Sequence, residues 1–204
     1  TGPDPNRHRW GFINKEGEMV IGATFWWARP FSEGVAAVKI GASSRTARWG
    51  WINRDGETVI EPEPNRFFAV DFVQGLAPVL TAKGAHFINK QGEEALVPEG
   101  GCRMAMPFAE GLAACKLGKN WGYIDDKGKI VLEARWAQAG RFSEGLAAVR
   151  IGRRWGYIDR EGEMKIEAGY AMARDFHHGL AQVKSGTRWV YIDREGKLVA
   201  QPGQ

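Results

Sequence analysis

Trp155-Gly156-Tyr157-Ile158-Asp159-Arg160-Glu161-Gly162-Glu163-Met164-Lys165-Ile166 is the stretch whose reading decides the fold. Asp159 opens a four-residue step that closes on Gly162. That is the chemistry of a type I turn, in which an Asx side chain at the first position bonds the turn's own backbone and glycine suits the last. Before the turn stand the β-formers Trp, Tyr and Ile; after it, polar and apolar residues alternate with period two. The stretch therefore reads as a β-hairpin, with a strand A before the turn and a strand B after it.

The hairpin recurs. Aromatic-Ile-Asx-x-x-Gly appears as Phe12 to Gly17, Trp51 to Gly56, Phe87 to Gly92, Tyr123 to Gly128, Tyr157 to Gly162 and Tyr191 to Gly196, with successive glycines 39, 36, 36, 34 and 34 residues apart. A tryptophan stands two positions before the aromatic at Trp10, Trp49, Trp121, Trp155 and Trp189, followed by Gly11, Gly50, Gly122 and Gly156. A second signature, Ala-x-x-Phe-x-x-Gly, follows each of the first five copies, as in Ala28, Phe31 and Gly34 or Ala139, Phe142 and Gly145. The residues after its glycine, such as Leu146-Ala147-Ala148-Val149-Arg150-Ile151, form a strand C joined by a short turn to the next A.

Each unit is then a three-stranded C-A-B antiparallel meander. The connector of roughly 12 residues between B and the next C is expected to be a tight turn or single helical turn plugging the core. A lone meander is marginal, so neighbours must stack to bury Trp, Phe and Ile. The fold class is all-β, a tandem array of such meanders over residues 10–204. Six A-B hairpins against five C strands predict an open, twisted or curved array capped by its terminal units, with a propeller-like ring as the alternative. Residues 1–9, with Gly2-Pro3-Asp4-Pro5, read as a linker or processed segment.

Composition narrows the function. With 44% hydrophobic residues in 204, the chain can bury a core, and a net charge of +4 is too small by itself to indicate a nucleic-acid binder. No apolar run approaches the roughly 20 residues of a membrane span. Cys115 sits where Val38, Val79, Val149 and Val183 sit in other copies, and Cys102 where Phe25, Trp136 and Tyr170 sit, so both read as buried thiols, with a disulfide between them as the alternative.

These residues resemble the bacterial WG-repeat family, also called KWG repeats, named for the dipeptide seen at Trp10-Gly11, Trp49-Gly50, Trp121-Gly122 and Trp155-Gly156. The resemblance runs from residue 10 to about 200. It implies an interaction module of the kind found in varied, often secreted or envelope-associated bacterial proteins, and it brings no catalytic residue. Departures fall in the third unit, where Ala85-His86 replaces Trp-Gly, and in the last, where Val190 replaces Gly.

Candidate chemistry is sparse. The row Asn14, Asn53, Asn89, Asp125, Asp159 and Asp193 reads as turn residues, since a hard-cation site needs several converging oxygens. Glu33, Glu110 and Glu144 read as solvated or ion-paired, with Gln74 and His178 in the same place. His8, His86, His177 and His178 lack metal-ligand spacing and read as surface histidines, although His86 lies in the irregular third unit with Pro78, Leu80 and Ala85, where a specific site is expected. No nucleophile elbow or phosphate loop is present. No catalytic residue, cofactor or metal is expected.

Contact residues are sought elsewhere. Trp26 and Trp27 exceed what the connector pattern requires, and a surplus tryptophan is a good contact for proteins or sugars. Lys39, Lys116, Arg150 and Lys184 recur in strand C, and Arg9, Arg48, Arg154 and Arg188 recur just before the tryptophan. The leading expectation is a noncatalytic protein-binding or scaffolding module, extracytoplasmic or secreted, either envelope-associated or an effector accessory. The alternative is binding of an anionic polymer, polysaccharide or nucleic acid, along the basic rows, with Lys39, Lys116, Arg150, Arg154, Lys184 and Arg188 as contacts.

Overall fold

A computed structural model describes residues 9–200. The linker reading of Gly2 to Pro5, His8 and the tail Gln201 to Gln204 lie outside the described residues. The chain forms two compact units, Thr1–Val97 and Pro98–Gln204.

In the first unit, β1 (Trp10–Ile13) and β2 (Met19–Phe25) make a two-stranded hairpin. It is followed by a four-stranded sheet of β3 (Trp27–Ala28), β4 (Ala36–Ile40), β5 (Arg48–Ile52) and β6 (Thr58–Ile60). A second sheet holds β7 (Phe68–Ala69), β8 (Ala77–Thr81), β9 (Gly84–Ile88) and β10 (Glu94–Leu96).

The second unit has three such sheets. They are β11 (Cys102–Ala105), β12 (Ala113–Leu117), β13 (Asn120–Ile124) and β14 (Ile130–Trp136); β15 (Gln138–Ser143), β16 (Leu146–Ile151), β17 (Arg154–Ile158) and β18 (Met164–Tyr170); and β19 (Met172–Ala173), β20 (Ala181–Ser185), β21 (Arg188–Ile192) and β22 (Leu198–Ala200). Every strand pair is antiparallel, and the described residues contain no helix.

The C-A-B meander is present in each of the five four-stranded sheets, and a fourth strand extends it. The connector expected as a turn or helical turn instead contributes a strand, D, lying outside C, so each of these five sheets runs D-C-A-B. Its physical reason is hydrogen-bond accounting: strand C would otherwise leave a row of amides and carbonyls unpaired. Between D and C the chain reverses in two residues, with Ser32 and Val35 exchanging both backbone bonds across Glu33-Gly34.

The A-B turn follows its chemistry closely. Gly162 N–H donates to Asp159 O, Asp159 N–H donates to Glu163 O, and Gly162 has φ +84°, which is a type I turn closed by a left-handed glycine. The Asx oxygen takes the Glu163 amide at 2.8 Å, and the equivalent bond forms at Asn14, Asn53, Asn89, Asp125 and Asp193.

The glycine after tryptophan has its own cause. Strand A pairs with B at Trp155↔Tyr170 and Tyr157↔Ile166, so two extra B residues bulge over the intervening Gly156. A Cβ there would lie 2.5 Å from the Ile166 carbonyl oxygen; at Gly11, Gly50 and Gly122 the same atom would meet strand B backbone at 2.6, 2.7 and 2.5 Å. In the third and last A strands this position holds His86 and Val190, opposite Val79 and Val183 of strand C.

Stacked sheets share cores within each unit. In the first, Ile21, Phe25, Ala36, Val38 and Ile52 pack together, and Trp49, Trp51, Phe72, Val79 and Ile88 form another cluster. In the second, Tyr123, Trp136, Phe142 and Ile158 form one cluster and Tyr157, Phe176, Val183 and Ile192 another. Cys102 and Cys115 are buried as expected, but the thiol reading is corrected: they form a disulfide, Cα–Cα 5.8 Å, because D and C are neighbouring strands.

Candidate binding surface

What the repeated polar residues do has to be settled before a surface can be assigned. Glu33, Glu110 and Glu144 all sit at φ 50–54°, a left-handed conformation that costs a non-glycine residue about 1 kcal/mol or more. The turn imposes it, since Gln74 and His178 share it at 55° and 54°, and the glutamates add a contact of their own. Glu33 accepts the amides of Gln74 and Gly75 in the next sheet at 2.6 and 3.0 Å, Glu110 that of Gly145 at 3.0 Å, and Glu144 that of Gly179 at 2.9 Å. Lys90 and Arg160, from the A-B turns of those next sheets, bond the Glu33 and Glu110 carbonyls.

These glutamates are therefore clamps between sheets; Glu33 and Glu110 are exposed and ion-paired, with Lys90 and Arg160, as expected, and the backbone amides they accept are the addition. Burial raises the Glu33 pKa, but the Gly75 and Gln74 amides and the Lys90 ammonium outweigh it, and the carboxyl is held below its ordinary value. Arg29–Asp71, Ser32 to Phe72 O and Ser143 to Phe176 O add to the same junctions. Tyr123 and Tyr157 donate to Gly140 O and Arg174 O, their hydroxyl pKa values pushed up by burial and then by the Asp175 charge.

The basic rows divide. Lys39, Lys116, Arg150 and Lys184 stand directly opposite Trp49, Trp121, Trp155 and Trp189 on the neighbouring strand, hence on the tryptophan's face. Arg154 and Arg188 precede the tryptophan and so fall on the other face. The structure does not bring the two sets into one row, and Arg154 and Arg188 are exposed. Arg48 donates to Pro64 O and Ala47 O.

His86 is not a surface histidine. It occupies the glycine position of strand A, and a cleft of about 380 Å³ lies beside it, lined among others by Glu63, Arg66, Thr81, Lys83 and Glu94. Its Nε2 lies 4.0 Å from Glu94 Oε2, and burial, with the nearby Arg66 charge, lowers its pKa against the pull of Glu94. Arg66 is only 2% exposed, yet it is satisfied by Glu61 O, Trp49 O and Glu63 Oε1. Sequence reading missed Arg66, for which the pattern holds no signal. Among the described residues no group of three His, Cys, Asp or Glu side chains could hold a metal ion, and no helix is long and apolar enough to cross a membrane.

The two extra tryptophans part company. Trp26 donates Nε1–H to Gly41 O at 2.8 Å and lies under the Arg9 guanidinium, 3.6 Å from its ring centroid. Trp27 is 50% exposed and packs at 5.3 Å, tilted by 44°, against Trp10, itself 47% exposed. That corrects the burial expected of the repeat tryptophan at Trp10; Trp49 and Trp121 are buried. Ile13 is 63% exposed, whereas its equivalents Ile52, Ile88, Ile124, Ile158 and Ile192 are at 0–2%. With Met19 and Val20 also exposed, the first hairpin carries a cluster of uncovered large apolar side chains.

Comparison with known proteins agrees on the architecture. Kluyveromyces lactis Hsv2p superposes with TM-score 0.58 at 10% identity over 83% of this chain and 60% of its own. The extracellular domain of a protein assigned as a hybrid two-component system of B. thetaiotaomicron gives 0.57 at 11% identity over 96% of this chain and 30% of its own. The chain thus spans less than two thirds of either, and identities this low show a shared fold alone. No curated protein matches the chain. The model of the WG containing repeat matches residues 10–42, 49–81, 121–154 and 155–189, skipping the copy in which His86 replaces glycine. Covering more than half of the chain, and resting on a dipeptide whose glycine the A-B bulge requires, this match makes the chain a member of the WG-containing repeat family.

Proposed function

We propose that the chain is a noncatalytic protein-binding repeat module whose contact surface is the first hairpin with the strand that follows it. One observation carries this: Trp10, Ile13 and Trp27 are exposed, while in the complete sheets every copy of Ile13 is buried and the copies of Trp10 are buried, at Trp49 and Trp121, or half-buried, at Trp155 and Trp189. Paired exposed tryptophans supply large contact area at small entropic cost, and such residues dominate protein interfaces. The repeat carboxylates are spent on joining sheets, so the repeats serve as a scaffold that presents this patch. An extracytoplasmic setting, envelope-associated or secreted, goes with the reading, since a Cys102–Cys115 disulfide persists in oxidising compartments.

The test is site-specific photo-crosslinking in the source cells, with the crosslinker at Trp27 or, as control, at the exposed turn residue Lys127. A discrete protein adduct from position 27 and none from 127 is expected. Equal labelling from both, or none from position 27 in a folded protein, refutes the proposal.

A second reading, an anionic polymer, draws on Lys116, Arg150 and Lys184 of the second unit, which share the tryptophan face and form no ion pair among the described residues. Binding that falls steeply with salt would mark it.

A further inference from the structure

We infer that the free edge of β1 is a receptor for an incoming β-strand of the strand C type: an extended segment of a different polypeptide with the pattern Ala-x-Val-Lys/Arg. The inference rests on the protein-binding reading and says how the partner engages the first hairpin.

Five of the six A strands lie between a C strand and a B strand, and β1 alone pairs, among the described residues, only with its B strand. The five complete sheets show what the sixth edge lacks, because the pairing has one register throughout. Ala36, Ala77, Ala113, Ala147 and Ala181 stand opposite the strand A isoleucine. Val38, Val79, Cys115, Val149 and Val183 stand opposite the WG glycine position, and Lys39, Leu80, Lys116, Arg150 and Lys184 opposite the tryptophan position.

Carried to β1, this register places an alanine against Ile13, a valine against Gly11 and a long basic side chain against Trp10. The alanine requirement is steric, since all five copies are buried at 0–1% between stacked sheets. The basic residue would lay its aliphatic stem over the Trp10 ring and keep its charge in water. Exposure of Ile13 and Trp10 is then the direct consequence of one missing strand. Strand addition to an open edge takes affinity from the backbone ladder and specificity from alternate side chains, which here are small, apolar and basic.

A second copy of this chain fits poorly as the occupant, because each of its C strands is already held between its own D and A strands.

The experiment uses the full chain and the synthetic heptapeptide Gly-Leu-Ala-Ala-Val-Arg-Ile, the sequence of residues 145–151. Amide hydrogen exchange is read at Trp10–Ile13, with tryptophan fluorescence as a second signal. The expected result is saturable protection of β1 amides, roughly tenfold or more, with a blue shift. Two further peptides carry N-methyl groups on alternate residues. In an antiparallel ladder only one of these sets points at β1, so one peptide must lose binding and the other keep it.

No protection of β1, or equal behaviour of the two N-methylated peptides, overturns the inference. Sedimentation showing that β1 instead pairs with a second copy, undisturbed by peptide, does the same. If crosslinks from Trp27 survive while the peptide fails, only the edge assignment falls; if both fail, the protein-binding reading falls with it.

Discussion

Gly156→Ala tests the physical meaning of the family dipeptide. The added Cβ would stand 2.5 Å from Ile166 O, 2.7 Å from Met164 Cε and 2.8 Å from Ala168 N. The methionine end can move, but the two backbone atoms belong to the bulge of β18 and can retreat only by breaking its pairing with β17. Overpacking of this kind costs about 1–3 kcal/mol. For a domain of this size each kcal/mol lowers Tm by about 2–4 °C, so a loss of roughly 2–12 °C is expected by calorimetry or circular dichroism. Gly169→Ala is the control, because its Cβ would meet nothing closer than Glu167 O at 3.9 Å. Reduced flexibility of the unfolded chain should leave that variant neutral or slightly stabilised. If Gly156→Ala melts with the wild type, the bulge does not explain the dipeptide.

Other outcomes follow from the same geometry. Glu144→Gln keeps the shape of the clamp but removes the charge from its bond to Gly179 N–H, and should lower stability by about 1 kcal/mol in urea titration. Because the Glu33 pKa is lower folded than unfolded, its contribution is present at neutral pH and is lost as pH falls from about 4.5 through the lower folded value; Glu33→Gln should flatten that acid limb. Reducing Cys102–Cys115, which closes a loop with sequence separation 13, should cost about 3 kcal/mol by the loop-entropy estimate, read as a lower Tm in reductant. Reversing Lys116, Arg150 and Lys184 together should leave a Trp27-dependent protein contact unchanged in salt dependence; collapse of all binding would instead favour the anionic polymer.

The A, B and C strands were legible because their signals are local: an Asx-x-x-Gly turn, period-two alternation and a glycine before each C. Strand D was not. Trp27–Ala28, Phe68–Ala69 and Met172–Ala173 are two residues long, too short for alternation, and they become strands only because a C edge is available to pair. The glutamate clamps were hidden for a related reason, since Glu33 and Gly75 meet across 42 residues. A trace was present, because a Glu-Gly pair is a poor choice for a two-residue reversal that favours Asn-Gly, and the misfit marked a residue with another task. The division of the basic residues between two faces depends on the C-A register, which places Lys116 opposite Trp121. His86 was singled out by its broken pattern, but the cleft beside it draws on Glu63 and Arg66, about 20 residues earlier in the chain.

Amide hydrogen exchange of the free chain, resolved by residue, tests most directly that the first hairpin is a sheet left open. The edge-facing amides of Trp10–Ile13 are compared with those of the equivalent residues Trp155–Ile158, which pair on both sides. The expected result is exchange near the intrinsic rate along one edge of β1 while the same amides of β17 are protected roughly a hundredfold or more. Equal protection on both edges of β1 would contradict the open edge, and with it the surface proposed for binding.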